Sequence, residues 1–192
     1  NIHSPTPIHP PMKKNILLFL LLIFISANIR ADLVSGKTYT ITSALDTLHT
    51  LFLKNASVDD QAATVLWTTT NVPAEQWEAT ILSGGSVVFR NIYSGMYLAR
   101  QTQNGKTVTC QMADATQNAT HWKINVVDGK SDTYQLALAT SLLTVSDTIH
   151  DGDQPVLAMK KTGADAVRQL WLVKEVSPTP KLTRPMRYDM VK

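Results

Sequence analysis

The chain has 192 residues, 44% of them hydrophobic and 17% charged, with a formal net charge of +3. The positive charge sits at the two ends, whereas the stretch from Asp32 to Val176 holds eleven Lys and Arg against fourteen Asp and Glu, so the body offers no basic footprint for nucleic acid. The single cysteine, Cys110, excludes an internal disulfide, and a body of this length must hold by packing.

The first element in chain order is a leader, residues 1–31. From Met12 it reads a basic start at Lys13 and Lys14, an unbroken apolar run from Ile16 to Ile25, and a small residue, Ala31, where cleavage needs one. This pattern predicts a secretory signal peptide helix. The apolar run is shorter than the roughly 20 residues of a spanning helix. The expectation is therefore export, with no membrane contact after cleavage: a secreted, periplasmic or cell-surface protein. The residues before Met12 read as an upstream leader outside the fold.

The body, 32–176, then runs through short apolar or alternating stretches: KTYTITS, LHTLFLK, ATVLWTT, QWEATIL, SVVFRNI, MYLAR, KTVTCQM, HWKINVV, TYQLALA, LLTVSD, PVLAMKK and QLWLVKE. Alternation at this length predicts strands. Turn signals separate them, among them Ser83-Gly84-Gly85, Asn104-Gly105, Asp128-Gly129 and Asp151-Gly152. Only NASVDDQAAT and TGADAVRQ read as helical turns, so the class is all-β. Cys110, inside one alternating run, reads as a buried strand thiol.

These twelve stretches form three sets of four: Lys37 to Leu82, Ser86 to Val127, and Thr133 to Glu175. Each set ends on a tryptophan strand, and Trp77, Trp122 and Trp171 lie 45 and 49 residues apart. A period of this size marks a repeated supersecondary unit. Three four-stranded units suit a β-trefoil, a closed barrel capped by hairpins, because closure removes exposed strand edges. The three tryptophans are predicted to form its core, each ring burying about 150–250 Å². The polar residue two places before each ring is predicted to satisfy backbone groups of the preceding loop.

At these residues the chain resembles the ricin-type β-trefoil lectin domains, whose hallmark is a threefold Q-x-W motif. Gln169-Leu170-Trp171 matches it outright, and Glu75-Gln76-Trp77 and Thr120-His121-Trp122 are degenerate copies. Ser94 to Ala99, SGMYLA, is similar to the family's S-G-x-x-L stretch, and His150 to Val156, HDGDQPV, to its D-G-x-x-V hairpin. The resemblance spans Gly36 to Val176. It implies a shallow sugar pocket in each repeat, built from an aspartate after the leucine strand, an aromatic ring on the hairpin, and polar groups before the core tryptophan. Such a carboxylate accepts from neighbouring sugar hydroxyls.

Carried over to this sequence, the aspartate position falls on Phe52 or Lys54, on Ala99 or Arg100, and on Thr144. The aromatic position falls on Trp67, Gln111 and Met159. The polar pair falls on Ala74-Glu75, Ala119-Thr120 and Arg168-Gln169. No repeat keeps the full set. Trp67 is the stacking candidate, with Asp59, Asp60 and Gln61 as hydroxyl partners; its alternative is a half-buried strand aromatic. Asp151 and Asp153, with Arg168 and Gln169, form a second candidate cluster, whose alternative is an Asp-Gly turn beside a core-facing glutamine.

No hydrolase, metalloprotease or phosphate-loop motif occurs. His49, His121 and His150 fall at non-equivalent places in different sets, and DGD at Asp151 to Asp153 lacks the further ligands of a calcium loop. No metal, cofactor or catalytic site is predicted. Residues 177–192 close the chain. Val176 to Pro180 reads as a stiff extended linker, and Thr183, Pro185, Met186 and Met190 read as the start of a helix. The expectation is a carbohydrate-binding module, its partner a glycan or polysaccharide, joined to a catalytic domain downstream such as a glycoside hydrolase. The alternative is a trefoil without sugar binding that serves as a structural or protein-interaction module.

Overall fold

The computed structural model describes residues 33–180. The signal peptide helix and the helix start after Pro180 lie outside the described residues. All twelve predicted strands form: β1 Thr38–Ser43, β2 His49–Leu53, β3 Thr64–Thr68, β4 Gln76–Ile81, β5 Val87–Asn91, β6 Tyr97–Gln103, β7 Lys106–Met112, β8 Lys123–Val126, β9 Thr133–Leu138, β10 Ser141–Thr144, β11 Val156–Ala158 and β12 Trp171–Glu175. TGADAVRQ becomes the 3-10 turn Gly163–Gln169, and shorter 3-10 turns at Pro73–Glu75 and Asn118–Thr120 precede the other two core tryptophans.

Six strands close a barrel. β1 pairs with β4, β4 with β5, β8 with β9, β9 with β12, and β12 returns to β1 over five residue pairs. The remaining seam, β5 to β8, is held by one bridge between Val87 and Trp122, whose amides donate to each other's carbonyls at 2.7 and 2.9 Å. The hairpins β2–β3, β6–β7 and β10–β11 cap one end. They close on each other: Ala63 bridges Cys110, Val156 pairs with Val108, and the Leu66 amide donates to the Asp153 carbonyl at 2.7 Å. The β6–β7 turn is the predicted Asn104-Gly105, with φ of 50° and 74°, the left-handed pair that a two-residue hairpin turn requires.

The tryptophans fix the repeat. Trp77, Trp122 and Trp171 are fully buried in one core cluster. Their indole N–H groups donate to the carbonyls of Leu51, Leu98 and Leu143, at 3.1, 2.9 and 3.0 Å. Each bond ties the last strand of a repeat to its second strand, which defines the threefold equivalence. The polar residue two places earlier does what the sequence predicted. Glu75 accepts from the Thr70 and Val72 amides, the Thr120 hydroxyl donates to the Ala115 and Gln117 carbonyls, and the Gln169 amide binds Thr144, Met159 and Lys161. All three are fully buried, and burial without these partners would cost several kcal/mol, on the order of 2–7 for each group.

Candidate functional site

In the first repeat, β2 and β3 pair from His49 opposite Thr68 to Leu53 opposite Thr64. Alternation sends Leu51, Leu53 and Leu66 into the core, all buried, and turns Phe52 and Trp67 to the other face. Phe52 is half-buried. Trp67 stays 40% exposed, and the two ring centroids lie 6.1 Å apart with planes tilted by 32°. The indole N–H of Trp67 has no acceptor among the described residues, unlike those of the three core tryptophans.

The third repeat supplies the polar flank. Asp151 Oδ1 accepts from the Thr68 amide at 2.6 Å and from the Thr68 hydroxyl at 3.0 Å. His49 Nε2 lies 3.4 Å from that same oxygen, and its Nδ1 is 2.8 Å from Asp46 Oδ2. The Asp46 carboxyl is held below the usual carboxylate range by the Leu48 amide and, less strongly, by His49. His49 thus joins the β1–β2 loop of the first repeat to the hairpin of the third. Beside it, a cleft of ≈ 570 Å³ opens between Leu45–Leu48 and Asp147–Ile149.

The predicted partners of Trp67 face elsewhere. Asp60 Oδ1 accepts from the Ala113 amide at 2.9 Å, the Gln61 amide donates to the Gln111 carbonyl at 2.9 Å, and the Asp59 carbonyl accepts from the Gln111 side chain at 2.7 Å. Asp59, Asp60 and Gln61 therefore dock on the second repeat, where Asp60 and Gln61 line a ≈ 110 Å³ hollow with Met112 and Asp114. The Asp114 carboxyl there is lowered by hydrogen bonds from the Thr116 side chain and amide. The third-repeat cluster also separates. Asp153 Oδ2 accepts from the His150 amide and the Ser146 hydroxyl within its own loop. Arg168 donates to the Val145 carbonyl, and the Gln169 amide is spent on backbone and on Thr144. Of the acidic candidates, only Asp151 bonds the Trp67 strand through its carboxylate; Asp153 meets that strand through its backbone carbonyl, which accepts from the Leu66 amide.

Register also corrects the aromatic positions. Trp67 pairs with Thr50, Met112 with Tyr97 and Ala158 with Leu142, each one step from the leucine that binds the core indole. The counterparts of Trp67 are thus Met112 and Ala158, not Gln111 and Met159. Those of Phe52 are Ala99 and Thr144, so of the alternatives read from the sequence the register selects Phe52 over Lys54 and Ala99 over Arg100. The contributions of His49 and Asp46 were missed, because their meeting with Asp151 spans about a hundred residues and leaves no local pattern. The Phe52–Trp67 pair was within reach, since a hairpin register that sets Phe52 opposite Val65 puts Trp67 diagonally beside it. Among the described residues no three His, Cys, Asp or Glu side chains gather to hold a metal ion.

A closed barrel of three four-stranded repeats, capped by three interlocked hairpins, is a β-trefoil. Residues 73–158 match the family described as ricin-type beta-trefoil lectin domain-like. The match begins after Trp67, so the first hairpin is placed by the threefold equivalence of the structure. The ricin B-like lectin of Macrolepiota procera, solved in complex with lactose, aligns with a TM-score of 0.60 at 17% identity, over 74% of this chain and 98% of that one. The designed threefold-symmetric protein ThreeFoil aligns at 0.65 and 17%, over 72% of this chain and 99% of that one. An exo-β-1,3-galactanase from Clostridium thermocellum aligns at 0.64 and 21%, over 77% of this chain but 31% of the enzyme. At these identities the shared property is the fold. No curated protein matches the sequence.

Proposed function

We propose that this chain is a carbohydrate-binding module whose working site is the first-repeat face carrying Trp67. The observation that carries the reading is the exposure of that ring at a place where Met112 and Ala158 serve the other repeats. The trefoil does not need an aromatic there, and an exposed indole face suits the C–H face of a pyranose. Asp151, 41% exposed, adds a carboxylate at the next residue along β3. Export follows from the leader pattern. An accessory role beside a catalytic domain is supported by the galactanase, which carries a trefoil within a longer chain. One shallow site binds weakly, and such a module gains mainly from multivalent presentation.

A second reading, a structural or protein-interaction trefoil, is favoured by one observation. Phe52, Ala99 and Thr144 stand where the resemblance asks for carboxylates, and Asp60 binds backbone. A glycan array of the chain beside its Trp67→Ala variant separates the two. The lectin reading expects binding that the variant loses while it still unfolds in one cooperative transition, its midpoint lowered by the lost packing of a ring that is 40% exposed and stacked near Phe52. Silence of the native chain across plant, fungal and animal glycans would leave the structural reading standing.

A further inference from the structure

Two Asn-x-Ser/Thr triplets play no part in sugar binding or in catalysis: Asn55-Ala56-Ser57 and Asn118-Ala119-Thr120. Such a triplet is the acceptor for N-linked glycan on a chain that enters a eukaryotic secretory pathway, so a modification here rests on the export reading. A triplet this short recurs by chance, and the fold distinguishes the two copies. The transferase has to reach the asparagine amide and the hydroxyl two places on together, on backbone that can be drawn into its site.

Both asparagines are exposed, but their hydroxyl partners differ. Thr120 is fully buried, and its hydroxyl donates to the Ala115 and Gln117 carbonyls at 3.0 and 2.8 Å. It closes the loop before the core residue Trp122, so presenting it to an enzyme means opening the end of the second repeat. Asn55 lies in the 3-10 turn Lys54–Ala56 at the end of β2, and no residue of that turn is buried. Its φ is 56°, in the left-handed region that asparagine tolerates better than most residues. The exposed Asn55 side chain makes no hydrogen bond among the described residues. The Ser57 hydroxyl bonds only Asp59 there, donating to Oδ2 at 2.9 Å and accepting from the amide at 3.1 Å, on the exposed surface. We propose that Asn55 is an N-glycosylation site, filled in preference to Asn118. The Asn55 amide nitrogen gains a bond to the anomeric carbon of a lipid diphosphate-linked oligosaccharide. The bond from that carbon to the diphosphate oxygen breaks, the lipid diphosphate leaves with the electron pair, and the nitrogen gives up one proton.

The full chain, with its own leader, is expressed in a eukaryotic secretory host, and the secreted product is weighed by mass spectrometry before and after an amidase that releases N-linked glycan. The amidase leaves aspartate where a glycan stood, which marks the site. The expected result is a mass excess of one oligosaccharide, lost on treatment, with aspartate appearing at position 55 in most molecules and at position 118 in fewer. Asn55→Gln should remove that glycan and Asn118→Gln should leave it in place. Ser57→Ala keeps the asparagine and takes away only the surface hydroxyl, so loss of the glycan in that variant ties the modification to the triplet and not to folding around Asn55. Ser57→Thr, which keeps the hydroxyl, should retain it. A secreted chain that stays asparagine at position 55, or that carries its glycan chiefly on Asn118, would overturn the proposal and leave export intact. A chain retained in the cell with its leader uncleaved would overturn both.

Discussion

The indole N–H of Trp171 donates to the Leu143 carbonyl in a fully buried setting, so the ring supplies both volume and a hydrogen bond. Trp171→Phe removes the donor, leaves that carbonyl without its partner and opens a void. The expected loss is about 2–4 kcal/mol, read as a lower urea midpoint, whereas Trp67→Phe on the surface should leave the midpoint in place. Cys110 is the other residue whose setting decides its chemistry. Burial, with a smaller contribution from the Asp60 charge, pushes its thiol from 9.0 up to about 12. Native protein at about pH 8 should resist thiol reagents and react once unfolded. Because the folded value is raised, the contribution to stability is intact below 9.0 and falls as pH climbs from there toward about 12. Between about pH 8 and pH 10.5 the native chain should lose up to about 2 kcal/mol more than Cys110→Ala. Equal losses in the two proteins would mean that the thiol ionises freely in the fold.

At the scale of elements, each strand was legible because alternation and turn residues are local properties. Asn104-Gly105 specifies its own hairpin, and TGADAVRQ its own helical turn. The docking of the hairpins was not legible. Asp59, Asp60 and Gln61 lie six to eight residues before Trp67 in sequence, yet the cap sends that loop against β7 and brings Asp151 from the third repeat to β3 instead. Nothing in a four-residue loop states which repeat it will meet. The structure shows the two loops to be equivalent: the Gln61 amide donates to the Gln111 carbonyl as the Gly152 amide donates to that of Leu66, at 2.9 and 2.8 Å. Both turn residues have positive φ, 62° and 93°, but only one is a glycine. A left-handed non-glycine residue costs about 1–2 kcal/mol, and glycine returns about 0.5–1 kcal/mol of that through its freer unfolded chain. Gln61→Gly should therefore stabilise the domain by roughly 0.5–1 kcal/mol in denaturant titration. Asp151→Ala, which strips two hydrogen bonds from Thr68, should destabilise it by about 1–2 kcal/mol. A destabilised Gln61→Gly would show that the Gln61 side chain does more than occupy a turn.

The whole molecule closes at its seam. β12 returns to β1, and the Val176 amide donates to the Thr38 carbonyl at 2.8 Å. The Pro-containing segment reads in the sequence as a stiff extended linker after a body ending at Val176. The chain instead runs on across the first repeat. Gln76, fully buried, donates through Nε2 to the Thr179 hydroxyl and accepts at Oε1 from the Thr179 amide, both at 2.8 Å. The Thr179 hydroxyl lies 3.4 Å from the Asn71 carbonyl. Residues 177–180 are thus a strap belonging to the trefoil, and this amide clip was illegible because its halves lie 103 residues apart. A chain ending at Val176 should be less stable than one ending at Pro180 by about 1–2 kcal/mol. It loses two hydrogen bonds, while water reaches the bared amide and spares it the larger penalty of an unpaired buried group. Gln76→Leu in the longer chain should cost a similar amount, because it leaves Thr179 without its partner. In the shorter chain the same substitution should cost less, since only the 3.4 Å bond from Gln76 Nε2 to Asn71 Oδ1 remains to be lost. The two changes should therefore fall short of additivity by about 1 kcal/mol in a double-mutant cycle measured by urea unfolding. Additive losses would mean that the strap contributes by covering surface and that the clip between Gln76 and Thr179 carries no energy of its own.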